Sequence, residues 1–223
     1  MKKYLALFDI VFYVVLPLVI WHGGRDLIGD YYAMLLSSVP GILYSVYRFI
    51  KVKKLNTLGI FLLGSLVIGS VIDVLSGSAL QLLWNQVYYN FFLAGLFLLT
   101  ILIKKPLSLY FGLDVIELQG VPREPLRKVF FKRKFYIVFV LLTAAFILRY
   151  IIGNLFQIHF INEYGVDAFD ELIVVKQILG WVTSGAMVLG FLYIGKLIKE
   201  DTDARNVFQE SHLMKNKESE PEQ

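Results

Sequence analysis

Cysteine is absent from the chain, which excludes disulfides, thiolate nucleophiles, cysteine-ligated zinc and iron–sulfur clusters and leaves the redox compartment unmarked. Charge is scarce too: 18% of the 223 residues are charged, against about 25% in an ordinary soluble domain. The histidines, His22, His159 and His212, are scattered with no metal-ligand spacing, so neither a metal nor any other cofactor is expected. A phosphate-cradling glycine loop, an HExxH helix, a nucleophile elbow and paired carboxylates within one apolar run are all missing. With no catalytic constellation in view, a non-enzymatic protein is expected.

Hydrophobic residues make up 57% of the chain and the mean hydropathy is +0.64, a composition too apolar to disperse in water. Apolar runs cover residues 4–21, 31–50, 58–75, 82–103, 135–160 and 172–198, each of 18 residues or more. A helix crosses the hydrocarbon core in about 20 residues at about 1.5 Å per residue. The expectation is an all-α, six-helix transmembrane bundle over residues 1–198, followed by a polar cytoplasmic tail, 199–223, rich in charge and disordered.

Orientation follows from the cations. Between the fourth and fifth runs lie Lys104, Lys105, Arg123, Arg127, Lys128, Lys132, Arg133 and Lys134, against Asp114, Glu117 and Glu124. Such loops stay on the cytoplasmic side. With both termini also placed inside, nineteen of the 22 lysines and arginines fall on that side. Arg25 alone falls outside, and Arg149 and Lys176 lie within runs. The net charge of +4 is thereby explained by topology, and no nucleic-acid partner is expected. The bilayer is the first partner; anionic lipids and other membrane proteins are further candidates.

Several local features qualify this outline. The first run resembles a signal peptide, but it lacks a small-x-small cleavage site and Asp9 interrupts it, so it is read as a retained span. Asp9 either faces Lys53 or Lys54 or hydrates at the interface. His22 to Asp26 reads as a polar hinge, Pro40 as a kink, and Ala79 to Gln86 as an uncharged linker. Trp84, Tyr88 and Tyr89 suit an interfacial aromatic belt. Leu107 to Leu118 is expected along the membrane surface, Val121 to Pro125 as a rigid turn, and Asn162 to Glu171 as an acidic loop. Glycines recur every five residues in the third and sixth runs. That step of about 140° gives no common face, so an inverted repeat is not inferred from them.

Charges inside apolar runs are costly and mark candidate sites. Counting from the basic loops, Asp73 lies roughly 25 Å and Arg149 roughly 22 Å deep at the helical rise, and Lys176 enters to a similar depth from the other side. Asp73, Asn90, Arg149 and Lys176 therefore form a candidate polar cluster in the outer half, with Asn154 and Gln177 nearby. One reading is an Asp73–Arg149 ion pair with Lys176 as a second partner; the other is that both cations snorkel separately to headgroups. On the cytoplasmic side, Arg127, Lys128, Lys132, Arg133 and Lys134 form a candidate patch for anionic lipid.

Leu16-Pro17-Leu18, Ser38-Val39-Pro40, Leu75-Ser76-Gly77-Ser78 and Gly95-Leu96-Phe97-Leu98, the last leading to Lys104-Lys105-Pro106-Leu107, follow one another in the first half. In this order they resemble a family of uncharacterised bacterial multi-spanning membrane proteins distantly similar to intracellular septation protein A, over about residues 8–112. The resemblance implies a bacterial plasma membrane and no enzymatic activity, and it supplies no site residues. Two functions are expected on these grounds: an envelope or septation-type interaction protein, or a small transporter or lipid-handling protein using the polar cluster. An intramembrane enzyme is a weaker third.

Overall fold

The computed structural model describes residues 7–52, 56–118 and 120–209, which are helical almost throughout, with no strand among them. Among the described residues these helices follow in order: α1 (Leu7–Ile28), α2 (Asp30–Val52), α3 (Thr57–Val74), α4 (Ala79–Leu102), α5 (Leu107–Glu117), α6 (Arg123–Phe130), α7 (Arg133–Tyr164) and α8 (Ala168–Glu200). Residues 202–209 are helical as well. Among the described residues, five runs are long and apolar enough to cross a membrane: α1, α2 as far as Ile50, α3, α4 and the 68-residue stretch Arg133–Glu200. That last stretch holds α7 and α8, joined by a 3-10 turn at Gly165–Asp167, where Gly165 takes a φ of +60°. Two compact units are present. The first gathers described residues up to 52 with Gly59–Gly95 and Leu148–Val182; the second gathers Asn56–Leu58, Leu96–Ile147 and described residues from Thr183 onward.

In the first unit, α1 runs on through the expected hinge at His22 to Asp26 and turns only at Gly29, whose φ is +82°. His22 and Arg25 find partners without leaving the helix, His22 Nε2 lying 3.3 Å from Asp170. Arg25 meets Asp30 at 3.1 Å and Asp167 at 2.6 Å, its guanidinium 4.5 Å over the Trp21 ring. Near the other end a π-helical turn at Val11–Val15 brings Tyr13 within 2.8 Å of the Ser45 hydroxyl. Asp9 receives a 3.0 Å hydrogen bond from Arg48, a partner not expected from the sequence. Lys53 and Lys54, like Lys2, Lys3 and residues 210–223 with His212, lie outside the described residues. Helix α2 continues through Pro40, with the Ser37 and Ser38 hydroxyls bonded back to the carbonyls of Ala33 and Leu35 at 2.7 Å. Helix α4 starts at Ala79, so most of the expected linker is its first two turns; Ser78 Oγ accepts the Gln81 N–H there. Trp21, Met34, Leu82, Leu83, Val87 and Leu172 form the core. The expected acidic loop at Asn162 to Glu171 is helical except for the turn Gly165–Asp167.

The second unit overturns the surface placement of Leu107 to Leu118. Helix α5 is buried at Ser108, Leu109, Phe111, Gly112, Leu113, Asp114 and Ile116. Ser108 Oγ lies 2.7 Å from Thr143 Oγ1 and 2.6 Å from the Phe139 carbonyl, so its polar face is satisfied by α7 rather than by water. A Cβ at Gly112 would stand 2.7 Å from Phe139 Cε1, a separation real atoms do not reach, and glycine lets that ring close on the helix. The expected rigid turn at Val121 to Pro125 opens into helix α6. Pro125 falls in its first turn, where a missing N–H leaves no helical bond unmade.

One carboxylate ties these pieces together. The Asp114 side chain is fully buried; it accepts the Leu58 N–H at the start of α3 at 2.7 Å and Arg123 Nη1 at 2.6 Å. Arg123 also reaches Glu117 at 2.8 Å, and these hydrogen bonds, Asp114 first, push its guanidinium above its ordinary value. A second tie corrects the expected disorder for the part of the tail up to Gln209: Lys132 donates to Asp201 and Asp203 at 2.7 Å each, and Ala204 is buried. The lysine hydrogen bond holds the Asp201 carboxyl below the usual range, while Asp201 and then Asp203 raise Lys132 above its own.

Replacing Asp114 by alanine strips Arg123 of its main partner and orphans the Leu58 N–H, with an expected loss of about 3 kcal/mol. Arg123→Lys keeps the charge but loses the fork, and about 1 kcal/mol is expected. Reversible unfolding of the purified protein in mixed micelles measures both; equal losses would show that the carboxylate does not organise the unit.

Candidate functional site

Asp73, Asn90, Arg149 and Lys176 line one cavity of about 280 Å³ within the first unit. Each comes from a different helix: Asp73 from the last turn of α3, Asn90 from the middle of α4, Arg149 from the middle of α7 and Lys176 from the third turn of α8. Helices α7 and α8 run antiparallel here. A Cβ at Gly153 would touch Leu179 at 3.5 Å and one at Gly180 would meet Arg149 Nη2 at 3.9 Å, so numbers rise on one helix as they fall on the other. Asn154 joins the cluster from behind, and Gln177 is not among the lining residues.

The expected Asp73–Arg149 ion pair is not formed among the described residues. Asp73 meets neither cation directly, because the amide of Gln86 stands between it and Lys176. Lys176 Nζ donates to Gln86 Oε1 at 2.8 Å, and Gln86 Nε2 donates to Asp73 Oδ1 at 3.2 Å. The two charges set the direction of the amide: its oxygen must face the ammonium and its nitrogen the carboxylate. Behind them, Asn90 Nδ2 donates to Asn154 Oδ1 at 3.1 Å, and the buried Asn154 donates to the Val87 carbonyl at 3.0 Å. Tyr89 lines the cavity and bonds the Ser65 carbonyl at 2.9 Å, so it is not simply a member of an interfacial belt.

Arg149 is left over. Its guanidinium carbon lies 5.9 Å from the Tyr150 ring, and among the described residues it makes no hydrogen bond or ion pair. The lining thus holds two cations and one carboxylate, with the carboxylate and one cation engaged through Gln86. Chemically such a recess suits an anionic group: the Arg149 guanidinium lines it, and no acid among the described residues lies within bonding range of that guanidinium. Among the described residues no group of three or more histidines or acids is arranged to hold a metal.

Sequence reasoning missed Gln86, Tyr89 and Tyr150. A signal for the first was present: Gln86 and Asn90 stand at i, i+4 on α4, as Gly69 and Asp73 do on α3 and Arg149 and Gly153 on α7. Three of the four helices thus offer the cavity a polar residue with a second polar or small residue one turn away, while α8 offers Lys176 with Leu179.

The basic patch of residues 127–134 fares differently. Lys132 is committed to Asp201 and Asp203, and Arg127 stacks 5.9 Å from the Phe131 ring. Of the five expected lipid ligands, Lys128, Arg133 and Lys134 make no ion pair among the described residues.

A double-mutant cycle separates the relay from a direct pair. Asp73→Asn combined with Lys176→Gln is expected to deviate from additivity by about 1 kcal/mol, whereas Asp73→Asn combined with Arg149→Gln should add to within about 0.5 kcal/mol. Unfolding titrations of the single and double variants measure both couplings, and a stronger coupling of Asp73 to Arg149 than to Lys176 would restore the direct ion pair. In comparisons with protein-family models, with curated proteins and with solved structures, nothing matches this chain.

Proposed function

We propose that the chain is a non-enzymatic, six-crossing protein of a bacterial cell membrane, with both termini in the cytoplasm, that binds a small anionic group at Arg149 and Lys176 as a transporter or lipid-handling protein. Two crossings are assigned to Arg133–Glu200 because 68 residues of helix would extend about 100 Å, against a hydrocarbon core of about 30 Å, and Gly165 turns the chain near the middle. Cation distribution supports the direction, with nineteen of 22 lysines and arginines on one side. The observation that carries the function is the cavity itself, where Arg149 lacks a partner among the described residues while Asp73 is turned toward Gln86. A plain interaction protein called for a dry bundle with these groups at its rim, and a recess of about 280 Å³ weighs against that.

Absence of cysteine makes the topology directly testable. A single cysteine replacing Lys134 should react with a membrane-impermeant maleimide only after cells are opened, and one replacing Glu163 should react in intact cells; the opposite pattern overturns the six-crossing map. The site is tested on full-length protein in phosphatidylcholine nanodiscs, titrated with inorganic phosphate in one arm and a short-chain phosphatidic acid in the other. Binding in the first arm alone marks a soluble anion, and binding in the second alone a lipid headgroup. Arg149→Gln should weaken whichever binds by tenfold or more, as loss of a charge-assisted bidentate contact predicts. Asp73→Asn, which removes the one carboxylate of the lining, should strengthen it. Binding unchanged by Arg149→Gln overturns the assignment.

A further inference from the structure

A separate cavity of about 540 Å³ lies wholly within the second unit. Its walls are apolar: Ile116 from α5, Phe191 and Ile198 from α8, and Phe208 from the helical residues 202–209. Lys199 and Arg205 also line it, and both are exposed. Among the described residues neither makes an ion pair, although Lys196, one turn from Lys199, pairs with Glu200 at 3.8 Å. The slot is held open from one side by the tie of Lys132 to Asp201 and Asp203, which fixes the segment that carries Arg205 and Phe208.

We infer that this slot is a binding site for one anionic glycerophospholipid, with an acyl chain along Ile116, Phe191, Ile198 and Phe208 and the phosphate between Lys199 and Arg205. Three features point to that occupant. The lining is amphipathic in the sense a phospholipid requires, with an apolar wall and, at one cavity, two cations that form no ion pair among the described residues. Lys199 falls at the end of α8, a helix of membrane-crossing length and composition, and Arg205 just beyond it, where headgroups meet water. Finally, in the six-crossing arrangement that end is cytoplasmic, the leaflet face where anionic lipids attract basic side chains. The inference rests on that membrane arrangement but not on the Arg149 cavity, and either site can fail alone. It also moves the lipid site away from the basic patch of residues 127–134, whose Lys132 is already used within the protein.

Native mass spectrometry of the full-length protein in detergent, titrated with phosphatidylglycerol and separately with phosphatidylcholine, reads the site. Phosphatidylglycerol should bind about thirtyfold more tightly, as two cations near an anionic headgroup predict. Lys199→Gln with Arg205→Gln should abolish that preference and leave phosphatidylcholine unchanged, and the swap Lys199→Arg with Arg205→Lys should retain it within about threefold, which separates lost charge from lost fold. Lys128→Gln with Lys134→Gln should also leave it within about threefold. The site is overturned by equal binding of the two lipids, by a glutamine double variant that keeps the preference, by a comparable loss in the Lys128 and Lys134 pair, or by loss in the charge-keeping swap. A tenfold gain in phosphatidylglycerol binding on truncation after Gln209 also overturns it, because the chain's own tail would then be the occupant.

Discussion

A polar group withdrawn from water has to find its partner inside the protein, and in a chain this apolar the partners are few. The backbone meets the requirement by being helical almost throughout the described residues. Side chains meet it one at a time, some within their own helix and others by a contact that ties two helices together. Asp114 is the fullest case: a carboxylate with no exposed surface takes an N–H from the start of α3 and a guanidinium from α6. Ser108 and Thr143 settle their hydroxyls on the Phe139 carbonyl in the same unit. In the other unit Gln157 and Asn154 reach the carbonyls of Leu83 and Val87. These contacts give a bundle of otherwise interchangeable apolar surfaces a specific register, a role that leucine and valine cannot fill because they pack in many ways with similar energy.

The same requirement sorts the cations. Arg25, Arg48, Arg123 and Lys132 each hold carboxylates from elsewhere in the chain and are structural. Lys176 is half engaged, since an amide oxygen satisfies its hydrogen bond but cannot neutralise its charge. Arg149, Lys199 and Arg205 have no such partner among the described residues, and each lines a cavity. Exposed lysines without partners are ordinary on any protein, so lack of a partner alone means little. Lack of a partner together with a recess is what distinguishes these three.

Much of the architecture could be read from the sequence, because apolar runs and their flanking cations are local features. Counting residues from the basic loops also brought Asp73, Arg149 and Lys176 to similar depths, and the structure sets them at one cavity. What failed were statements that depend on contacts between distant residues. Nothing near His22 to Asp26 says that Arg25 will be met by Asp167, which is why the helix continues where a hinge was expected. Leu107 to Leu118 looks like a surface helix until Asp114 is given Arg123 and Leu58. Residues 202–209 look like tail until Lys132 is seen to bind Asp201 and Asp203. Gln86 carried no charge and so drew no notice, yet it decides which of two cations Asp73 serves.

That decision explains how an arginine can be kept available at such a position. A direct Asp73–Arg149 pair would cancel the charge and close the recess, leaving nothing to recognise. By accepting from Gln86, the carboxylate is held on the α4 side and shares its influence with Lys176 through a neutral amide. The amide has no charge to lose and cannot reverse without setting its nitrogen against the ammonium, so the arrangement has one stable sense. Arg149 then keeps its donors for the cavity, beside a tyrosine face that favours a cation without occupying its hydrogen bonds. A neutral ligand would leave that guanidinium uncompensated, and a second cation would add to the repulsion. The anionic group proposed for the cavity is the occupant that would remove the imbalance.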